Sequence, residues 1–132
     1  SYAAMKQALS MAGLLPQEIH YINLHGTGTQ NNDSSEGNAV QNVFGGKVPP
    51  VSSTKAFTGH TLGASGGVEA VFSVLSIKYG SVFPNLRFEM PMPGLSYTPV
   101  INYDEGLTIE HVMSNSFGFG GNCSSIIFSR VV

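Results

Sequence analysis

The segment from Leu62 to Tyr79 constrains the fold of this chain more than any other part of the sequence. Apolar side chains recur along it every three or four residues, the spacing of one helix face, and further apolar residues fill the other faces. The recurring residues are Ala64, Val68, Val71, Phe72, Leu75 and Tyr79, with Ala70 and Val74 between them. A helix that is apolar nearly all round is a buried helix. Because a chain of 132 residues has few layers to offer, we expect part of its cover to come from elsewhere.

The composition leads to the same expectation. Apolar residues make up 42% of the chain and charged residues 11%, whereas average domains carry about 25% charged residues. A surface with so few charges indicates contact with further sequence of the same protein or with another subunit. The net charge of −2 predicts no nucleic-acid partner, since nothing neutralises phosphates.

The sequence lacks the patterns of a membrane helix, a signal peptide, a disulfide or a metal site. No apolar run approaches the ~18 residues of a membrane helix, and Ser1–Lys6 do not resemble a signal peptide. The single cysteine, Cys123, excludes an internal disulfide and fits a reducing compartment. Cys and His show no metal-ligand spacing. We therefore expect a cytoplasmic protein without a metal site. The absence of an initiator methionine predicts a processed chain or a fragment.

The remaining patterns alternate between helix and strand, which predicts an α/β sheet domain. Gly13 ends the first helix, and Asp33 or Ser34 begins the second as its cap. We predict helices over Tyr2–Ala12 and from that cap to about Phe44, and strands over Ile19–Leu24, Val51–Ser53, Val112–Ser116 and Ser124–Val131. The prolines between residues 84 and 99 predict an irregular crossing.

The first candidate site is the run His25–Thr29, with the sequence HGTGT, after a predicted strand and before a helix. Ligands of open α/β sheets bind at the carboxyl ends of strands. Its glycines permit close approach of a ligand, and its threonine hydroxyls lie beside an imidazole. The alternative is a turn that needs glycine.

The second candidate site comprises Lys55 and His60, just before the buried helix. Polar groups buried at a helix start usually mark a site, because burial without partners is costly. The small residues Gly63–Gly67 could instead serve close packing. Glu69 lies within the otherwise apolar helix and needs a cation; we favour a buried Lys55–Glu69 pair over a solvated Glu69.

The third candidate site is the glycine-rich run Asn115–Asn122 between two predicted strands. Its N–H groups could cradle an anion, or it could be a tight, mobile hairpin. It matches neither the phosphate-binding loop nor the dinucleotide fingerprint.

In this order and spacing, the three runs resemble the motifs of the C-terminal half of the β-ketoacyl-(acyl carrier protein) synthases. The resemblance extends over residues 1–132 and implies one C-terminal domain, without the N-terminal half that carries the family's nucleophilic cysteine. It implies an α/β fold that is half of the thiolase-like architecture, with a mixed sheet flanked by helices. The helix from about Gly63 to Tyr79 would then lie between the sheets of the two halves.

The resemblance also implies a reaction, decarboxylative Claisen condensation in fatty acid or related polyketide or polyene synthesis. Malonyl on acyl carrier protein would lose carbon dioxide, and the carbanion would attack an acyl thioester. His25 and His60 would stabilise the enolate, and Lys55 paired with Glu69 would hold their geometry and electrostatics. The N–H of Phe119 would form half of an oxyanion hole, with its ring as a gate.

Further site residues and partners follow from the same resemblance. Thr27 and Thr29 would contact the phosphopantetheine arm, and Phe117 and Gly118 would complete the substrate-binding loop. That arm arrives on acyl carrier protein, so no resident cofactor is expected. The full-length protein would be a homodimer or heterodimer, with no nucleic-acid or membrane partner. Cys123 precedes a strand, and we interpret it as a small buried thiol and not as the nucleophile.

Three alternatives remain open. A non-catalytic chain-length factor shares the fold and pairs with an active partner, although His25, His60 and Lys55 argue against it. A thiolase shares the fold but not the loops His25–Thr29 and Phe117–Gly121. The chain could also be an inactive structural fragment, and we predict that it has no condensing activity alone.

Overall fold

The computed structural model describes residues 1–131, which form a four-stranded mixed sheet with helices on both faces. The four strands follow one another in the sheet in the order β2-β1-β3-β4. The elements in chain order are α1 (Tyr2–Ala12), β1 (Tyr21–Asn23), α2 (Gln30–Phe44), β2 (Val51–Ser52), α3 (Lys55–Thr58), α4 (Ser65–Tyr79), β3 (His111–Phe117) and β4 (Cys123–Ser129).

The central strand β1 runs parallel to both of its neighbours. Ile22 is in register with Val51 of β2 and with Met113 of β3, whereas β3 and β4 pair antiparallel as a hairpin. The segments that follow β1 and β2 therefore leave the sheet at the same edge. This topology brings the first two candidate sites of the sequence together, although about thirty residues separate them.

The two faces of the sheet bury two separate cores, because successive side chains of a strand point to opposite faces. On one face, Ile22 and Met113 pack against α1 and α2. This core also includes Met5, Leu9, Val40 and Phe44. Tyr21 and Val112, one residue earlier in each strand, pack with Ile77 of α4 and with Val82 and Ile109. Among residues 1–131, no helix is long and apolar enough to cross a membrane.

Helix α4 buries Ile77 within this chain but leaves its other large apolar residues partly or largely exposed. Its buried positions include Glu69, Ser73 and Ser76, whereas Val71 and Val74 are 59% and 48% exposed. Small side chains face the sheet because the helix lies close to it: a Cβ on Gly66 would stand 3.1 Å from the Ser116 hydroxyl. Val71 and Val74 are thus left on the side that the sheet does not reach. Cover from outside the chain stays a prediction.

Most boundaries differ from the sequence prediction by a few residues, and one difference affects the site. Helix α2 begins at Gln30, so the prediction of a cap at Asp33 or Ser34 is wrong. Asp33 lies in the first turn, where its carboxylate accepts the N–H of Gly28 at 3.3 Å. The short helix α3 was not predicted. Strand β1 is shorter than expected, although the backbone hydrogen bonds of His20 and Leu24 extend its ladder.

The two ends of the proline-rich segment, residues 85–100, are hydrogen-bonded to each other beside β2. The N–H of Asn85 donates to the carbonyl of Val100 at 2.7 Å, and the N–H of Val100 donates to Val51 at 2.9 Å. The Gln41 side chain of α2 holds the far side through Gly94 and Ser96. Residues 85–100 form a compact loop with neighbouring ends, next to the carboxyl edge of the sheet.

Candidate active site

Two histidines and a lysine from separate segments meet where β1 and β2 end. His25 follows β1, Lys55 begins α3 after β2, and His60 lies in the turn between α3 and α4. The imidazole rings of His25 and His60 meet edge to face, with centroids 5.4 Å apart and an interplanar angle of 86°. The first and second candidate sites are therefore one site.

Behind the histidines, Lys55 and Glu69 form the buried ion pair that the sequence favoured. Their side chains are 7% and 3% exposed, so solvent screens the pair little. Burial raises the pKa of the Glu69 carboxyl, and the Lys55 ammonium opposes that rise. Helix α4 supplies the carboxylate from its second turn, which explains a charge in the middle of an apolar helix.

The Lys55 ammonium also determines which nitrogen of His25 carries hydrogen. Its Nζ lies 3.3 Å from His25 Nδ1 and donates to the His25 carbonyl. An ammonium can donate but not accept, so Nδ1 is the acceptor and Nε2 carries the hydrogen. Burial, then the charges of Lys55 and His60, lower the pKa of His25 to about 4. His25 is therefore a neutral hydrogen-bond donor at physiological pH.

His60 has the same tautomer for a different reason. The backbone N–H of Leu62 donates to His60 Nδ1 at 3.1 Å, and the Ser65 hydroxyl lies 3.0 Å from the same atom. A backbone N–H is always a donor, so a neutral His60 also carries its hydrogen on Nε2. Leu62 adopts a positive φ of 53° to make this contact. Two adjacent imidazoles thus each offer an Nε2–H.

The rest of the HGTGT run forms a turn above the histidines. The hydroxyls of Thr27 and Thr29 lie 2.9 Å apart, and Gly26 and Gly28 have positive φ values of 43° and 75°. A Cβ on Gly26 would stand 2.4 Å from Ser53 Cβ, so only glycine fits between the two segments. The structure thus confirms that the turn needs glycine at this position, and the functional interpretation of the run stays a prediction.

The glycine-rich run Asn115–Asn122 is a β3–β4 hairpin, and its two phenylalanines lie in different environments. The ring of Phe117 is 5.9 Å from that of His25, so it belongs to the histidine site. The N–H of Gly118 donates to Asn122 at 2.7 Å across the loop. The side chain of Phe119 is fully exposed, and the structure does not bring it against the histidines. Its roles as gate and oxyanion-hole donor remain predictions.

A half-open cavity of about 480 Å³ leads to Lys55 and His60. One wall is polar and includes Thr27, Gly28 and Asp33. The opposite wall is the loop of residues 85–100, which contributes the apolar side chains of Leu86, Phe88, Met90, Met92 and Leu95. The cavity is a path along which a flexible, partly apolar substrate arm could reach the imidazole of His60.

Sequence reasoning missed one residue beside the site. Glu36 of α2 is 2% exposed and accepts the N–H groups of His25 and Gly26 at 2.9 Å. Burial raises the pKa of its carboxyl, against the effect of these hydrogen bonds. An acid that faces the HGTGT turn from the next helix could have been found from the topology. Across residues 1–131, no three His, Cys, Asp or Glu side chains cluster as a metal site would require.

Comparison with known proteins agrees with the resemblance seen in the sequence. Residues 1–89 match the family model described as "Beta-ketoacyl synthase, C-terminal domain". The chain is 44% identical over 129 residues to 3-oxoacyl-[acyl-carrier-protein] synthase 2 of Staphylococcus aureus, and 43% identical to the protein of that name from Coxiella burnetii. Each alignment covers 96% of this chain and 31% of the relative, so the chain spans about a third of the length of these proteins.

Solved structures agree in fold. A ketosynthase (ApeO) in complex with its chain length factor (ApeC), from Xenorhabdus doucetiae, superposes with a TM-score of 0.89 at 40% identity. It matches 98% of this chain and 33% of its own. A β-ketoacyl synthase from Burkholderia phymatum has the same TM-score at 37% identity, and covers 99% of this chain and 32% of its own. The fold is thus part of the thiolase-like architecture, and the chain belongs to the β-ketoacyl synthase family, of which it matches the C-terminal domain.

Proposed function

We propose that the protein containing this chain catalyses decarboxylative Claisen condensation of malonyl-acyl carrier protein with an acyl thioester. The observation that carries the proposal is the pair of adjacent imidazoles, His25 and His60, each with its hydrogen on Nε2. The names of the S. aureus and C. burnetii relatives support the same reaction class. The product would serve fatty acid synthesis or a related polyketide or polyene pathway.

The proposed chemistry needs two hydrogen-bond donors, and Lys55 does not act as a base in it. The bond between the malonyl carboxylate and its neighbouring carbon breaks, carbon dioxide leaves, and the electron pair becomes an enolate on the thioester. Nε2–H of His25 and of His60 donate to the enolate oxygen. The enolate carbon then attacks the acyl thioester, and a thiolate leaves. Donors aimed at developing charge in a dry site are worth about 2.7–4 kcal/mol each.

The other residues assist these two donors. Lys55, neutralised by Glu69, keeps His25 as a neutral donor. Thr27, which lines the cavity, and Thr29, whose hydroxyl lies 2.9 Å from that of Thr27, would bind the phosphopantetheine arm. Phe117, Gly118 and Phe119 would shape the binding region for the acyl group. The acyl group would ride on a cysteine outside this chain. Cys123 pairs with Phe117 at the start of β4 and lies at no helix start, so we do not assign it as the nucleophile.

The proposed partners follow from the reaction. Acyl carrier protein would deliver both substrates. One solved relative is described as an acyl-carrier protein in complex with its ketosynthase, which supports this partner. We further propose an N-terminal half that folds against this chain, a dimer of the full-length protein, and a cytoplasmic location.

The test is malonyl decarboxylation and product formation by the full-length protein, with purified acyl carrier protein substrates. We expect His25→Ala and His60→Ala each to lower the decarboxylation rate by about 10²–10³-fold. His111→Ala is the matched control, because His111 lies at the opposite end of the sheet and contacts Ser129. Unchanged decarboxylation in the two site variants would refute the proposal. An inactive wild type that activates a second ketosynthase would favour a chain-length factor.

A further inference from the structure

Asn85 is held beside the end of β2 by its backbone and by its side chain. Its N–H donates to the carbonyl of Val100 at 2.7 Å, and its Oδ1 accepts the N–H of Ser53 at 3.0 Å. The N–H of Val100 in turn donates to Val51 of β2 at 2.9 Å. The first residue of the loop of residues 85–100 is thus anchored to β2, and its side chain has a fixed orientation.

The contact with Ser53 also decides which end of the Asn85 amide is left free. A backbone N–H is always a donor, so the oxygen of the amide is turned toward Ser53. The NH₂ group, Nδ2, is the other end, and within residues 1–131 it donates to no acceptor. Because Asn85 lines the cavity that leads to His60, this NH₂ group is available to a molecule in the cavity.

The neighbouring polar groups of the cavity already have partners. The Ser53 hydroxyl donates to the carbonyl of Gly26 at 2.9 Å. The carboxylates of Asp33 and Glu36 accept backbone N–H groups of the HGTGT turn. The NH₂ group of Asn85 is therefore a donor in the cavity wall whose acceptor has to come from a ligand or from solvent.

The character of the cavity indicates which acceptor fits this donor. A neutral amide carries no charge to balance an anion, so its natural partner is a neutral carbonyl oxygen. Beside Asn85, the side chains of Leu86, Phe88 and Met90 give the loop an apolar surface that would accommodate hydrocarbon on either side of such a carbonyl. The pantetheine arm has this chemistry, because it consists of amides separated by hydrocarbon segments.

We propose that Asn85 is a substrate-binding residue, whose Nδ2 donates to an amide carbonyl of the pantetheine arm and holds the arm on the route to His60. The inference rests on the proposed function, since it concerns the carrier arm of the same substrates. Thr27 would bind the arm from the HGTGT turn and Asn85 from the loop of residues 85–100. Two segments of the chain thus hold the arm from two sides.

The test compares Asn85→Asp with Asn38→Asp in the full-length protein, with free pantetheine as the probe. An aspartate at position 85 keeps an oxygen toward Ser53 but turns a second oxygen, which repels a carbonyl, into the cavity. We expect Kd for pantetheine, measured by calorimetry, to rise about tenfold. Pantetheine is uncharged, so the new charge acts on it only at this contact. Asn38 donates to Ser34 on the exposed side of α2, and Asn38→Asp should leave Kd near wild type.

A second readout needs no variant and separates the inference from the proposed function. In the wild type, the side-chain NH₂ signals of Asn85 in NMR spectra should shift when pantetheine is added, and those of Asn38 should remain in place. Binding that depends on Asn85, in a protein that does not decarboxylate malonyl, would refute the proposed function alone. Absent pantetheine binding, unshifted Asn85 signals, or an equal rise of Kd in both variants would overturn the inference, even where decarboxylation depends on His25 and His60.

Discussion

At the scale of single residues, the most consequential contact is the buried pair of Lys55 and Glu69. Removing one partner of a buried pair leaves an uncompensated charge and typically costs about 3–5 kcal/mol. We expect Lys55→Ala to lower the free energy of unfolding by about that amount, measured by chemical denaturation of the full-length protein. The loss has an electrostatic cause, because both side chains are nearly inaccessible to solvent.

The control for this prediction is the double variant Lys55→Met with Glu69→Leu. Replacement of a buried pair by apolar residues of similar volume is often neutral or stabilising. The double variant should therefore regain most of the lost stability, while the rate of decarboxylation stays low because His25 has lost its cationic neighbour. A single variant as stable as wild type would show that the pair does not carry a buried charge.

His25 yields a second prediction at this scale. Its pKa in the folded protein is about 4, below the ordinary value of 6.5. Between pH 6.5 and pH 4, His25 is protonated in the unfolded chain and neutral in the folded protein. The contribution of His25 to stability is therefore present above pH 6.5 and is lost as the pH falls toward 4.

The measurement is NMR titration of His25 together with denaturation at several pH values. We expect the His25 ring to remain neutral at pH 5.5 and the free energy of unfolding to fall as the pH decreases from 6.5 to 4. In Lys55→Met the pKa should rise, because a neighbouring positive charge is removed. A midpoint for His25 at or above 6.5 in the wild type would contradict the assignment of a neutral donor.

At the scale of elements, the end of α4 depends on one glycine. Gly80 caps the helix with a left-handed φ of 62°, and its carbonyl accepts the N–H of Leu107 at 2.9 Å. A Cβ at this position would stand 2.1 Å from the Leu107 carbonyl oxygen, which is backbone and cannot rotate away. We expect Gly80→Ala to lower the free energy of unfolding by about 2–4 kcal/mol, from strain and overpacking together.

Gly46 provides the matched comparison for Gly80. It lies in the turn after α2, and a Cβ there would meet nothing within 4 Å. Gly46→Ala should leave the denaturation midpoint near that of wild type. Equal midpoints for the two variants would mean that the segment around Leu107 moves aside, and that the cap does not fix the position of α4.

The elements also show which features local sequence can predict. The helix Tyr2–Ala12 was predicted to the residue, because Gly13 has the left-handed conformation typical of a helix end. The start of α2 was missed because Asp33 resembles a cap, yet its carboxylate serves the Gly28 N–H of the preceding turn. Local propensity cannot distinguish these two uses of an aspartate. The choice is made by the path of the chain from β1 into α2.

The candidate site shows the same division. Chemistry sufficed to predict the Lys55–Glu69 pair, because a carboxylate in an apolar helix needs a cation. The roles of His25 and His60 stay predictions. Glu36 escaped notice because α2 contains several polar residues, and its burial depends on β3, which lies far along the chain. A contact such as that between Asn115 and Glu36 follows from sheet order, which single-sequence patterns do not reveal.

At the scale of the whole molecule, the candidate site is open to solvent on one side. His60 is exposed, Phe119 is fully exposed, and Val71 and Val74 of α4 stand in solvent. An enolate in such an open site would be stabilised weakly, because water competes for the donors and raises the local dielectric constant. The same features would be buried by a second half that packs on α4 and on the hairpin loop.

We therefore predict that the 132-residue chain alone forms no condensation product from malonyl- and acyl-acyl carrier protein. Two losses combine: the acylated cysteine of the proposed reaction lies outside this chain, and His60 stays exposed to solvent. The full-length protein is the positive control, and the chain mixed with a separately produced N-terminal segment tests whether the two halves can reassemble. Recovery of activity in the mixture should be weakened by Val74→Asp, because association would bury an unpaired charge. Turnover by the 132-residue chain alone would show that its own residues suffice, and would require a nucleophile among them.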